Sequence, residues 1–135
     1  MIEQGLVKLI QADSTVRGLT PSGGGFFVQL PKGQNLPSWS YFFMSDQEPH
    51  ALKGERGLTM QRLQVDCFGT QDNQGADAIK LAKAIDNVLD SFSGILTDVD
   101  STVVDSILRS DKMDFFDDAG RTYRRMLEYE VWYLQ

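Results

Sequence analysis

A chain of 135 residues with 41% hydrophobic and 24% charged side chains can bury one sizeable core, which argues against wholesale disorder. Its 19 acidic and 13 basic residues give a formal net charge of −6, a balance that argues against a protein that grips phosphate backbones. The single cysteine, Cys67, excludes an internal disulfide and fits folding in a reducing cytoplasm. We predict one domain over residues 1–135, with neither a signal peptide nor a membrane span.

The N-terminal part is predicted to hold one helix followed by a loop. Apolar residues recur at helical spacing over residues 2–11, where Gly5 makes the helix depend on packing for its stability. Residues 13–25 are predicted to form a loop, since they end in Thr-Pro-Ser-Gly-Gly-Gly, a run that disfavours regular structure. This glycine run is not a phosphate loop, because no Lys-Ser or Lys-Thr follows it.

Strands are predicted on both sides of a second loop. The loop over residues 45–57 is rich in glycine, proline and charge, and loops of that length are usually functional or disordered. The clearest strand alternates Leu63, Val65 and Cys67 with polar side chains. The strands predicted in this half of the chain lie at residues 26–30, 39–44 and 59–68.

One long helix dominates the second half. An apolar stripe predicts it over residues 73–92, and Gly94 can close its end. A strand is predicted at residues 102–108 and a loop at residues 111–121. The final strand, residues 123–134, alternates apolar and polar side chains along its whole length.

The order of these elements predicts an α+β fold. A mostly antiparallel sheet of about 4–5 strands packs against the long helix, residues 73–92, and a short N-terminal helix spans residues 2–11. We expect eight side chains in the core: Leu63, Val65, Ile79, Ile85, Val88, Leu127, Tyr129 and Val131.

One side of the final strand is left without a predicted cover. If the long helix covers the side that carries Leu127, the other side carries Trp132, Leu134 and Phe68, and large exposed apolar side chains favour a partner surface. The alternative is that the helix over residues 2–11 or a loop covers them.

Residues able to carry nucleophilic catalysis are few. Such catalysis needs a nucleophile beside a base, and Cys67 and His50 could meet only if the loop over residues 45–57 folded back over the sheet. We favour a core position for Cys67 and a solvated position for His50.

Charged side chains on the final strand have two interpretations each. Glu128 and Glu130 could do acid–base work if buried, whereas the alternation favours that they face solvent or pair with Arg62 across the sheet. Arg124 and Arg125, which lie among aromatic residues, could bind single-stranded nucleic acid, but one basic pair in an acidic chain is weak support.

Metal sites are also disfavoured. A zinc site needs several Cys or His ligands, and the chain has one of each. Four aspartates crowd the predicted loop over residues 111–121, and such clusters can hold a hard cation, yet their spacing does not match the calcium-loop pattern. We favour a solvated acidic loop. The four aspartates are Asp111, Asp114, Asp117 and Asp118.

Seven segments follow one another in an order that is informative as a whole. They are the helix over 2–10, the Pro-plus-aromatic strand over 36–42, the Leu-x-Gly loop over 52–57, the strand over 62–68, the Ala-rich helix over 76–89, the acidic segment over 114–118 and the terminal strand over 123–133. Their order and spacing resemble the tail-completion, or tail-terminator, proteins of long-tailed bacteriophages and prophages. Residues 20–25 match that family poorly.

The resemblance implies a structural protein of the virion tail, assembled in the cytoplasm of the bacterial host. Such proteins close the tail tube as a ring of identical copies, commonly a hexamer, and present a surface to the head connector. The implied partners are therefore further copies of the chain, the tail tube protein and the connector. DNA would pass through the lumen without specific binding.

We therefore predict no enzymatic activity and no catalytic, cofactor-binding or metal-binding residue. Lys53, Glu55 and Arg56, whose mixed charge suits pairing with a neighbouring subunit, and Trp132 are the predicted subunit contacts. Two alternatives stay open: another neck or tail adaptor of similar fold, and a small metal-binding or ligand-binding enzyme domain.

Overall fold

The computed structural model describes residues 2–44, 48–49, 58–70, 75–97, 101–117 and 122–134. Its elements are, in chain order, α1 (Ile2–Ala12), α2 (Ser14–Leu19), β1 (Phe26–Phe27), β2 (Ser38–Phe43), β3 (Glu48–Pro49), β4 (Leu58–Thr70), α3 (Ala76–Leu89), β5 (Gly94–Ile95), β6 (Val103–Asp117) and β7 (Thr122–Leu134). None of the helices in this described part of the chain is long and apolar enough to cross a membrane.

The strands form a single seven-stranded sheet, in which six follow the order β1-β2-β4-β7-β6-β5 and β3 pairs with β4. The pair β1–β2 is parallel and the other pairs are antiparallel. The two central strands, β4 and β7, pair along their full lengths, from Leu58 opposite Leu134 to Thr70 opposite Thr122. Strand β6 pairs with β7 over the same length, with two shifts of register that lie around positions 105 and 110.

The core lies between the helices and one face of this sheet. Residues directly opposite each other in an antiparallel pair share a face, so the odd-numbered residues of β4 and β7 point to the same side. Leu63, Val65, Leu127 and Val131 are buried there, under the apolar stripe of α3, and Ile85 of that helix is fully buried. Each such burial contributes about 1.5–3 kcal/mol relative to exposure.

Two glycines allow α3 and the sheet to approach closely. A Cβ on Gly69 would lie 2.6 Å from the backbone nitrogen of Ala78, in the first turn of α3. Gly75, at the N-cap of α3, has a φ of 77°, and a Cβ there would lie 2.5 Å from the ring of Tyr123. Only a residue without a side chain fits these positions without displacement of its neighbours.

The predicted fold class is wrong. Strands dominate, the sheet is mixed and has seven strands, and three short helices cover it in place of one long helix. The predicted long helix over 73–92 is found only at Ala76–Leu89, because the chain turns away at Asp90 and Ser91, the latter with a φ of 67°. Residues 73–74 lie outside the described part of the chain.

Two predicted loops also contain regular structure. Residues 13–25 include α2, which begins at an Asp13 N-cap whose carboxylate accepts a hydrogen bond from the backbone N–H of Val16 at 3.1 Å. The predicted loop over 111–121 is strand as far as Asp117. The residues at 111–116 are all exposed, so burial imposes no alternation there that the sequence could reveal.

Other predictions are confirmed. The first helix, Ile2–Ala12, ends one residue later than expected, and the strands predicted at 59–68 and 123–134 are β4 and β7. Of the expected core residues, Ile79 and Val88 are half-buried. The others are buried, namely Leu63, Val65, Ile85, Leu127, Tyr129 and Val131.

Candidate functional site

The candidate site lies on the face of the sheet that points away from the helices, which we call the open face. It is formed by the even-numbered residues of β4 and β7. The register places Arg62 opposite Glu130 and Gln64 opposite Glu128, so charged and polar side chains form rows across the two central strands. This is the cross-strand arrangement expected of Arg62 and Glu130.

A buried carboxylate lies on this open face. Asp66 is 4% exposed and accepts hydrogen bonds from Nε2 of Gln64 at 3.1 and 3.3 Å. Nε of Arg124 lies 3.9 Å from Oδ1 of Asp66. Burial raises the pKa of Asp66, and the Gln64 hydrogen bond and the Arg124 charge act in the opposite direction. Ser40, its register partner on β2, has a buried hydroxyl without a hydrogen-bond partner among the described residues.

A cavity of about 490 Å³ lies beside this cluster. One wall comes from the connection before β2, including Leu30 and Leu36, and the other from Phe68 and the paired ends of β6 and β7. The guanidinium carbon of Arg124 lies 4.3 Å from the centre of the Phe115 ring. Such a contact holds a cation over an aromatic face, here at the lining of the cavity.

The predicted acidic loop is a strand, and its described carboxylates are not gathered into a cation site. Asp114 accepts hydrogen bonds from Nε and Nη2 of Arg125 at 2.7 and 3.0 Å. This bidentate pair lowers the pKa of Asp114. Asp118 lies outside the described residues, within which no group of three or more His, Cys, Asp or Glu side chains is placed to hold a metal ion.

The ionisable groups inside the core serve packing. Cys67 is fully buried, and burial, followed by the charge of Asp66, raises the pKa of its thiol, so the reactive thiolate is disfavoured. The hydroxyl of Tyr129 donates a hydrogen bond to Oδ1 of Asp86 at 2.7 Å, and Arg109 contacts the other oxygen at 2.9 Å. These bonds tie α3 to β6 and β7. His50 lies outside the described residues.

The predicted subunit contacts fall partly outside the described structure. Lys53, Glu55 and Arg56 all lie there. Trp132 is on the open face, half-buried, between Met60 of β4 and Ser106 of β6 in the register.

The side of the final strand that carries Trp132 and Leu134 is partly covered in the structure, since Met60, Asp66 and Met126 on the same face are buried. Leu134 and Phe68 lie on it and are half-buried, and Phe68 lines the cavity. The N-terminal helix does not provide the cover, since it places Ile2 and Leu6 in the core on the opposite face. Part of the connection before β2 lines the cavity together with Phe68 instead.

The grouping of Asp66, Arg124 and Phe115 was missed by sequence reasoning. Asp66 on β4 lies far along the chain from Phe115 on β6 and Arg124 on β7, and their association depends on the register. One signal was available: Asp66 occupies a polar position of an alternating strand that is flanked by Val65 and Cys67.

Comparison with known proteins identifies the family. No curated protein matches the sequence. The fold is shared with a chain from the structure titled "Virion of native gene transfer agent (GTA) particle", with a TM-score of 0.79 and 11% sequence identity. The match covers 99% of this chain and 95% of that one. The family model described as "Tail completion protein gp17" matches residues 4–134. The chain therefore belongs to the tail completion protein family and is a structural protein of phage tails.

Proposed function

We propose that this protein closes the end of the tail tube as a ring of identical copies, stops tube polymerisation and forms the joint to the head connector. The observation that carries the proposal is the family match over residues 4–134. The shared fold with a chain of a gene transfer agent virion supports it, because that chain also belongs to a virion.

The proposed mechanism is geometric. In a ring, each copy uses one surface to bind the next copy and a different surface to bind the previous one, so the contacts close on themselves and leave no free end. The net charge of −6 suits a ring whose lumen passes DNA, because a negative surface repels the phosphate backbone and limits sticking.

Lys53, Glu55 and Arg56, in the segment predicted from the sequence to be a loop, remain our proposed charged contacts between copies, with Trp132 as a proposed apolar contact. Reversal of the charge by Arg56→Glu is expected to weaken ring assembly and to leave the melting temperature of the monomer unchanged. Lys83→Glu, an equal change at an exposed position on α3, is the matched control. A ring that assembles equally well in both variants removes the loop from the interface.

Electron microscopy of tails made with and without the protein tests the function. Tails of uncontrolled length in its absence are the expected result. Tails of normal length that fail to join heads would instead identify a neck adaptor, and tails that are normal and joined would overturn both roles.

A further inference from the structure

We propose that the cavity beside Arg124 binds the carboxyl-terminal residue of a partner chain. In this arrangement, the terminal carboxylate lies on the guanidinium and an apolar side chain packs against the cavity walls. The inference rests on the proposed function, since it names the chemistry by which another tail protein would dock.

The cavity has the size and the lining of a ligand site. Its volume of about 490 Å³ falls within the range of about 300–1,000 Å³ that is usual for such sites. Arg124 is the one charged residue among the described residues that line it. An apolar pocket with one cation selects a ligand that joins an apolar group to a negative charge. The apolar lining residues are Leu30, Pro31, Leu36, Phe68, Phe115 and Phe116.

Two contacts hold Arg124 in a fixed orientation. Its guanidinium carbon lies 4.3 Å from the centre of the Phe115 ring, and its Nε lies 3.9 Å from Oδ1 of Asp66. In the register, Arg124 is opposite Phe115 of β6 on one side and Phe68 of β4 on the other. A guanidinium that is already oriented loses less entropy when it binds a ligand.

The hydrogen-bond donors of Arg124 are not used by the fold. Its Nε is buried without a hydrogen-bond partner among the described residues, and none of these residues accepts from its terminal amino groups. Asp66 approaches at Nε and is not part of the cavity lining. The two terminal amino groups therefore remain for a ligand, and a carboxylate fits such a pair with two parallel hydrogen bonds.

The family of the chain favours a protein as the source of this carboxylate. A structural protein of phage tails meets other protein chains, and every protein chain ends in a carboxylate next to a side chain that can be apolar. A bare phosphate, the other common anion at arginine, brings no apolar group to fill the space between the walls. The end of a partner chain satisfies both parts of the cavity.

Calorimetric titration of the full chain with a short peptide tests the assignment. The probe is an acetylated peptide that ends in Gly-Ser-Gly-Phe with a free carboxylate, and its matched control is the same peptide with a carboxyl-terminal amide. We expect saturable binding of the free acid and at least about tenfold weaker binding of the amide, because the charge-assisted pair is lost. Equal affinity of the two peptides would overturn the assignment.

The same substitution at two adjacent arginines locates the contact. Arg124→Lys keeps the charge but loses the planar fork, so we expect about tenfold weaker binding of the free acid and unchanged binding of the amide. Arg125→Lys is the control, since Arg125 lies on the other face of β7, opposite Asp114. Equal affinities of both variants for the free acid would remove Arg124 from the site. If Arg124→Lys does not fold, the two peptides still decide the matter on the native chain.

Phe116→Ala tests the apolar wall. Phe116 is 47% exposed, so the melting temperature is expected to stay the same. The affinities for the free acid and for the amide should fall by the same factor, because the wall contacts the side chain of the ligand and not its carboxylate. Unchanged affinities would contradict the proposed position of the apolar group.

A small acid separates a chain end from a free ligand. The probe is 3-phenylpropionate, which has the same ring and carboxylate without the peptide. An affinity equal to or above that of the peptide would overturn the choice of a chain end. If none of the probes binds, the site itself is overturned. The tail-length measurement, which reports on the proposed function, is independent of that result.

Discussion

Two aspartates, on β4 and β6, show how local surroundings decide the role of a carboxylate. Asp66 is buried on the open face with Gln64 as its hydrogen-bond donor, and burial raises its pKa. Asp114 is exposed and held by the two donors of Arg125, which lower its pKa. The two groups should therefore act on stability in opposite directions.

Replacement of Asp66 by Asn is expected to raise the melting temperature at neutral pH. A carboxyl whose pKa is raised by folding binds more protons in the native than in the unfolded state, so the free energy of unfolding falls as pH rises from the ordinary value of 3.8 through the folded value. The destabilisation caused by the buried carboxylate is fully present at neutral pH. Asn removes it because its side chain is uncharged, and the Asn side-chain oxygen can still accept the hydrogen bond from Gln64. Thermal melts from acid to neutral pH should show a gain in melting temperature that vanishes below the ordinary pKa of the carboxyl. A lower melting temperature of the variant at neutral pH would contradict this account.

Asp114→Asn is the matched variant of opposite sign. A carboxyl whose pKa is lowered by folding stabilises the native state above its ordinary value of 3.8, and this contribution is lost as pH falls through the folded value. The variant should have a slightly lower melting temperature than the native chain at neutral pH and the same melting temperature in strong acid. The effect is small because the Asp114 side chain is 43% exposed and solvent screens the pair.

At the scale of elements, a strand whose alternation is imposed by burial could be predicted from the sequence. A strand segment at the edge of the sheet, where burial imposes no alternation, could not. Strand β4 alternates because its odd residues face the core, and Leu63 and Val65 reveal this period. The distal half of β6 has no such constraint, and register shifts around positions 105 and 110 further obscure its period. The short α2 depends on its Asp13 cap and on Val16 in the core, contacts that a period search over six residues cannot detect.

The approach of α3 to β4 can be tested with two glycine substitutions. Gly69→Ala would place a methyl group 2.6 Å from the backbone of Ala78, and we expect a loss of about 1–3 kcal/mol in the free energy of unfolding. Gly18→Ala is the control, since nothing lies within 4 Å of its Cβ position on α2. It should stabilise that helix by about 0.5–1 kcal/mol. Denaturant unfolding of both variants provides the measurement, and equal effects would exclude a close helix–sheet contact.

At the scale of the whole molecule, buried and exposed apolar residues occupy different parts of the sheet. One face of the central strands β4 and β7 is buried under the helices, while the large exposed apolar residues of the described chain lie on or beside the outer strands β1, β5 and β6. The family and the tail role could be predicted from the order of segments along the chain. The cluster of Asp66 with Arg124 could not, because it depends on which strands become neighbours. The exposure of apolar residues on the outer strands could not either, because exposure is a property of the completed sheet.

Leu127→Ala should separate the stability of the fold from assembly. Leu127 is 1% exposed at the centre of the core, and its truncation is expected to cost about 2–5 kcal/mol of stability. The proposed contacts Lys53, Glu55, Arg56 and Trp132 are unchanged, so tails assembled below the lowered melting temperature should keep their normal length. Loss of length control by folded Leu127→Ala protein would show that the core and the assembly surface are coupled.

The position of Cys67 gives the molecule an internal reporter. The thiol lies in the central strand β4 with no exposure, and an alkylating reagent can reach it only when the sheet opens. The rate at which a maleimide consumes this thiol therefore measures how often the strand separates from its neighbours. The same assay works inside an intact particle, where optical melting is impractical. A subunit that is bound by neighbours on both sides should react more slowly than one free in solution.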